Sequence, residues 1–294
     1  MKTGVFVGLI TLDCIYQTTK ALEPNEKQVA EAMLLAAGGP ATNAAVAFRA
    51  LGNRAIVVGA LGCHPLSTVV RARPAAEPGQ LVDLMPTATT PPPFSSIVVN
   101  TITGDRAVIS RNAADRPIPQ APPPPNLLDQ TDCVLIDGHQ MALGKYLAQQ
   151  AQRSNIPVVI DAGSWKPGFE DVLPLATAVI ASAAFRPPGF EAEQGAIAYL
   201  QSLGIPDIAV TRGARPILHQ TSSHIGELTV PTIKPVDTLG AGDIFHGAFC
   251  HGYTHESDFL EALTLAAQVA SVSCQSFGTR QWVYSLSQPR QGKG

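Results

Sequence analysis

The chain has 294 residues, a formal net charge of -3, 45% hydrophobic and 15% charged residues. That length and composition allow one large α/β domain or two small ones with a substantial core, and they exclude a disordered chain. The near-neutral balance gives no electrostatic footprint for nucleic acid or an anionic membrane, and no apolar run is long enough to span a bilayer.

The N-terminus runs directly into Val5–Ile10, a short apolar stretch expected to be a buried strand, with no signal-peptide pattern before it. Asp13–Thr18 is strand-like, whereas Val29–Ala36 fits a strand or a helix. Gly38-Gly39-Pro40 then gives helix-start grammar, with Pro at the first helical position and an alanine-rich helix to Leu51, closed by Gly52. Ile56–Leu61 reads as another buried strand. Residues 64–90 carry little signal and are expected to hold a helix and a loop. Phe94–Thr101 and Arg106–Arg111 flank Thr103-Gly104-Asp105 and predict a hairpin. The proline-rich stretches at 91–93 and 117–125 can only be connectors.

Beyond them, strand-like and helix-like runs alternate. Strands are expected at Cys133–Ile136, Pro157–Ile160, Ala176–Ala181 and Ile208–Thr211. Helices are expected near Leu143–Arg153, Ala192–Leu203, Ala241–Gly252 and Asp258–Cys274. This alternation predicts an α/β fold, a doubly wound and mostly parallel sheet flanked by helices, with a small β-rich lid from residues 13–36 and 92–112. One domain over 1–294 is expected. The cysteines, Cys14, Cys63, Cys133, Cys250 and Cys274, are scattered, odd in number and without a CxxC pair. They suggest a reducing, cytoplasmic setting.

The most informative segment is Asp237-Thr238-Leu239-Gly240-Ala241-Gly242-Asp243. Glycines at a helix start let backbone N–H groups converge, and the helix end adds partial positive charge, which together suit a phosphate or an oxyanion. Asp243, in the first helical turn, can take a proton from an attacking hydroxyl. An aspartate there serves equally as a simple dipole partner. No G-x-x-x-x-G-K-[ST] loop is present, and Phe245 stands where a dinucleotide fingerprint needs its third glycine.

This segment resembles the D-T-x-G-A-G-D signature of the ribokinase-like, PfkB-type carbohydrate kinases. Gly38-Gly39-Pro40-Ala41-Thr42-Asn43-Ala44-Ala45 resembles the family's di-glycine motif, and Val7–Asp13 its first strand. The opening and the di-glycine segment look closest to the sulfofructose kinase and ketohexokinase side. The resemblance implies transfer of the γ-phosphoryl of ATP to a sugar hydroxyl. Asp243 would be the base, and the Gly240, Ala241 and Gly242 backbone the anion hole. It implies Asp13, Gly38, Gly39 and Asn43 at the sugar. Val210-Thr211-Arg212-Gly213 resembles the turn that meets the nucleotide phosphates, giving Thr211 and Gly213, beside Gly240 and Gly242, a nucleotide role. Asp237 would help hold a monovalent cation, K⁺ in some members, and Mg²⁺ would accompany ATP.

Arg111 and Asn112, closing the second lid strand, can meet substrate or solvent, and His139 stands at a strand end where ligands gather. Trp165 and Lys166 are pocket-edge candidates; His246, His251 and His255 read as surface or packing residues. The lid strands leave faces able to pair into a homodimer. One departure stands out: where many members carry N-x-x-E to organise Mg²⁺, this chain has Ser182-Ala183-Ala184-Phe185. That leaves a nucleoside kinase on the same scaffold, or a catalytically weak ligand-binding homologue, as alternative readings.

Overall fold

The structure is a computed structural model describing residues 1–20, 23–72, 79–111, 123–190, 192–256 and 258–286. Asn112 and residues 117–122 of the expected lid end and connector lie outside these. A nine-stranded sheet runs in the order β13-β12-β11-β10-β9-β8-β1-β4-β5. Its strands are β1 (Thr3–Val7), β4 (Arg54–Gly59), β5 (Gln80–Asp83), β8 (Cys133–Ile136), β9 (Val158–Ala162), β10 (Ala178–Ser182), β11 (Asp207–Arg212), β12 (Arg215–Gln220) and β13 (Ile225–Leu228). All pairings from β5 through β11 are parallel, and the β12–β13 edge is antiparallel. A second, four-stranded sheet runs β3 (Ala32–Gly38), β2 (Thr11–Thr18), β6 (Phe94–Asn100), β7 (Arg106–Arg111).

The strands β1, β8, β9 and β10 are apolar runs with almost every residue buried, as a sheet covered on both faces requires. One face carries α1 (Pro40–Ala50), α6 (Ala241–His255) and α7 (Phe259–Ser273), packed through Phe6, Phe48, Phe249 and Leu263. The other carries α3 (Met141–Arg153) and α5 (Glu193–Ser202), packed through Leu147, Phe169 and Leu200.

Four sequence expectations shift. The apolar run Val5–Ile10 leaves the sheet at Val7, because Gly8 turns against the Asp137 carboxylate, where a Cβ would collide. Val29–Ala36, open between strand and helix, gives a strand from Ala32, fixed by antiparallel pairing with β2. Residues 64–90 hold α2 (Pro65–Arg71) and also β5, which extends the main sheet. The hairpin β12–β13 is not foreseen at all. The expected hairpin of Phe94–Arg111 forms as β6–β7.

Strand order reverses between β1 and β8: the chain leaves β1 toward β4 and β5, then returns to build outward from β8. Ligands in open α/β sheets bind at the carboxyl ends beside such a switch. Here Asp137, directly after β8, accepts N–H from Leu9 (2.8 Å) and Ala41 (3.1 Å), tying β1 and the start of α1 to that point. Gly39 caps α1 at φ 98, and Pro40 follows at the first turn. α1 and α6 then meet closely, because Gly247 leaves room for the Ala44 carbonyl, on which a Cβ would fall. Gly247→Val should therefore push the helices apart, destabilise the fold by about 2–3 kcal/mol in a denaturant titration and lower turnover as well.

Candidate active site

Three distant parts of the chain, Asn43, Gly240–Asp243 and Thr279, converge at the amino ends of α1 and α6. Gly240 adopts the left-handed conformation (φ 70) as the N-cap of α6; in the first turn that follows, the Ala241 N–H donates to the Thr238 carbonyl at 3.3 Å, while the Gly242 and Asp243 N–H groups have no backbone acceptor among the described residues. Asp243 lies in that turn, half-buried, and its Oδ2 accepts a hydrogen bond from Asn43 Nδ2 at 2.8 Å. A Cβ on Gly240 would press on Thr279, with Asn43 and Asp243 next nearest, so the glycine permits this close grouping.

The charges around Asp243 explain its proton affinity. Burial raises its pKa from 3.8 to about 7; the Asp161 and Asp137 carboxylates add to the rise, while the Asn43 hydrogen bond and His246 oppose it. Asp161, at the end of β9, is itself raised by burial, against the charge of His246. For Asp137 burial also acts upward, but His139 and the backbone N–H groups of Leu9 and Ala41 hold its pKa below the ordinary value. His246 sits one turn after Asp243. Its Nδ1 lies 2.7 Å from the Gly242 carbonyl, and its Nε2 lies 3.2 Å from the Ile180 carbonyl and 3.6 Å from Asp161. His246 is thus a packed, buried residue, within the range expected for it.

Of the acceptor-side candidates, Asp13 and Gly38 lie in contact. Asp13 is buried on β2 in register with Ala36 and Ser95, and its Oδ1 accepts from Thr11 Oγ1 at 2.6 Å. Burial raises its pKa, while bonds from Thr11 and Ser95 and the Arg280 charge counter that. Gly38 lies against this carboxylate, leaving no room for a Cβ. Arg111 stands exposed on β7 in the row of Phe94 and Leu12, next to the Asp13 row, so its side chain starts from the opposite face of the sheet.

The four-stranded sheet covers the signature loop. Leu239 packs beneath Ile15, Ile97 and Val99, Arg106 Nη1 donates to Thr238 Oγ1 (2.8 Å), and Thr238 Oγ1 donates to the Gly104 carbonyl (3.3 Å). Asp237 is buried and accepts from the N–H of Leu239 and of Gly278, both at 2.8 Å. Thr211 and Gly213 lie at the carboxyl end of β11, away from this cluster. Thr211 Oγ1 donates to the Ala181 carbonyl at 3.3 Å, and Gly213 turns the chain at φ 65 with open space where a Cβ would be.

The departure at Ser182–Phe185 has a clear structural form. Ser182 Oγ donates to the Gly163 carbonyl (2.5 Å) and accepts from Ala184 N–H (3.0 Å). Phe185 is fully buried, against Phe169 and Trp165 at ring distances of 5.5 and 5.7 Å. The position holds an aromatic core and supplies no carboxylate. Among the described residues, no three His, Cys, Asp or Glu side chains are grouped to hold a metal. Trp165 accordingly belongs to packing, while Lys166 lies near enough to Asp161 and His139 to influence both.

Arg280 is the site residue that sequence reasoning misses. It follows α7, and its Nη1 donates to Asn43 Oδ1 at 2.9 Å. The only signal lies in the neighbouring Phe277-Gly278-Thr279, whose glycine marks a turn; nothing in it points toward residue 43.

A raised pKa at Asp243 carries a stability consequence. Protonation favours the folded state, so the contribution is present below about pH 4 and is lost as pH rises through 7. Asp243→Asn removes the buried charge. It should raise Tm by about 2–5 °C at pH 8 and leave it nearly unchanged at pH 4, as read by calorimetry.

The family model described as pfkB family carbohydrate kinase matches residues 1–283. Ribokinase of Bacillus subtilis is 24% identical over 290 residues, 95% of each chain. The structure of Arabidopsis thaliana ribokinase complexed with ribose and ATP superimposes with a TM-score of 0.75 at 20% identity, covering 97% of this chain and 98% of that one. A nucleoside kinase of Methanocaldococcus jannaschii, an archaeal member of the ribokinase family, gives 0.72 at 19% identity, covering 96% and 94%. The family model shows the family and the solved structures show the fold; neither bears on the sulfofructose kinase and ketohexokinase branch.

Proposed function

Because the chain belongs to the pfkB family of carbohydrate kinases, we propose that it transfers the γ-phosphoryl group of ATP to a hydroxyl of a sugar, with Asp243 as the base. The observation that carries this is the Asn43–Asp243 pair beside the Gly240–Gly242 turn. It brings the helix after the di-glycine turn to the carboxylate, next to the Gly242 and Asp243 N–H groups at the start of α6. A base must be ionised to act and is most useful with a pKa near the working pH; Asp243, at about 7, meets that condition.

In this reading the acceptor lies between Asp13 and Asp243. Asp13 and Asn43 orient its hydroxyls, Gly38 makes room for the Asp13 carboxylate, Gly39 gives the turn into α1, and Arg111 starts from the opposite face of the lid sheet. The four-stranded sheet is the lid that excludes water, and the chain works as one unit. The amino end of α6 faces the transferring group, and Thr211 and Gly213 meet the rest of the nucleotide. Mg²⁺ belongs to this proposal as the partner of ATP; the residues at 182–185 do not fit a role in holding it. K⁺ beside Asp237 would offset the cost of burying that carboxylate, whose pKa burial raises. Two copies would pair through β7, an edge strand exposed along its length, with Ile109 80% exposed. We place the protein in the cytoplasm; no helix among the described residues is long and apolar enough to cross a membrane.

The polar acceptor side favours a sugar, and the likeness to the archaeal nucleoside kinase puts nucleosides in the same screen. ADP release should appear with one acceptor class, fall at least about 1,000-fold in Asp243→Asn, and decline as pH drops below 7. Turnover by Asp243→Asn at the natural rate, or ATP binding with no acceptor turned over, would reject the reading. Replacing K⁺ by choline in that assay should lower the rate if Asp237 serves a cation. Light scattering should report a dimer that Ile109→Lys dissociates.

A further inference from the structure

Arg280 is half-buried where three parts of the molecule meet. Its Nη1 donates to Asn43 Oδ1 at 2.9 Å, to Thr279 Oγ1 at 2.8 Å and to the Thr279 carbonyl at 3.0 Å; its Nη2 donates to the Ala37 carbonyl. Burial lowers its pKa to about 10, against the opposing charges of Asp13 and Asp243. The guanidinium therefore lies between the acceptor-side carboxylate and the base.

A side-chain amide is nearly symmetric in shape, so the end of Asn43 that faces Asp243 is an energetic choice. Arginine has donors only. By occupying Asn43 Oδ1, Arg280 leaves Nδ2 as the end that meets Asp243 Oδ2 at 2.8 Å. With Arg280 removed, the amide is free to rotate and set its oxygen against a carboxylate. We propose that Arg280 is a positioning residue: it fixes the Asn43 amide so that it donates to Asp243, and so keeps the base ionisable at neutral pH. The inference rests on Asp243 being the base. Arg280 acts through Asn43 and not on the reacting atoms.

The groups that face Asp243 decide the sign. Asp161 from the end of β9 and Asp137 from the end of β8 raise its pKa, while Asn43 from α1 and His246 from its own helix lower it. The mutual charge interaction of Arg280 and Asp243 also lowers it, by reciprocity. Removing Arg280 withdraws the Arg280 charge and the Asn43 bond together, so the pKa must rise. Lysine cannot replace the fork that spans Asn43 and Ala37, because it offers a point charge on a flexible stem.

The test follows the Asp243 carboxyl by ¹³C NMR titration of the full chain, alongside the pH profile of turnover. Arg280→Met should move the midpoint up by about one unit, a tenfold change in proton affinity. It should also carry the acid limb of the profile with it and lower kcat at pH 7 about fivefold, with the KM for ATP unchanged. In an Asn43→Ala background the same substitution should add distinctly less, only the share of the Arg280 charge itself, because the Asn43 contact is already gone. Should Arg280→Met fail to fold, Arg280→Lys replaces it in the cycle, with a shift of about half a unit that again shrinks on Asn43→Ala. An unmoved midpoint, additive shifts, or a rise confined to the acceptor KM overturns the inference. Full activity in Asp243→Asn would instead reject the base assignment, while the titration still judges what Arg280 does.

Discussion

One buried carboxylate holds the architecture of the site together. Asp137 stands at the switch between the two halves of the sheet and accepts N–H groups from the end of β1, the start of α1 and its own loop at His139. A buried charge is tolerable when every lone pair is met, and here the backbone meets them. Gly8 leaves the space that this carboxylate fills. With that point fixed, the di-glycine turn has a defined place, and α1 can run from it toward α6.

From there the positioning is steric. Small residues let α1 and α6 approach until Asn43 reaches Asp243, and α7 returns the chain so that Arg280 reaches Asn43. The outcome is three carboxylates, Asp137, Asp161 and Asp243, near one another, with His246, His139, Lys166 and Arg280 set among them. Such a site is costly to fold and poised for proton transfer, the trade commonly found where function competes with stability.

Much of this is legible in the sequence, and the limits are physical. Buried strands such as Cys133–Ile136 show themselves as continuous apolar runs, and Gly240–Asp243 is compact enough to be read locally. The segment Ala32–Gly38 has no period of its own; pairing with β2 decides it. β5 and β13 are four residues long, below what periodicity resolves. Phe185 is visible as a departure, but that it completes an aromatic core with Trp165 and Phe169 requires the packing. Arg280 gains its meaning solely from a residue 237 positions away, and no local pattern announces such a contact.

Gly38 and Asp13 occupy a single volume between them: the carboxylate lies where any other side chain at 38 would begin. Neither residue can drift alone. A larger residue at 38 evicts the aspartate, while a shorter residue at 13 leaves a hollow beside the glycine. The pair therefore behaves as one unit, and a change at either position calls for a matching change at the other.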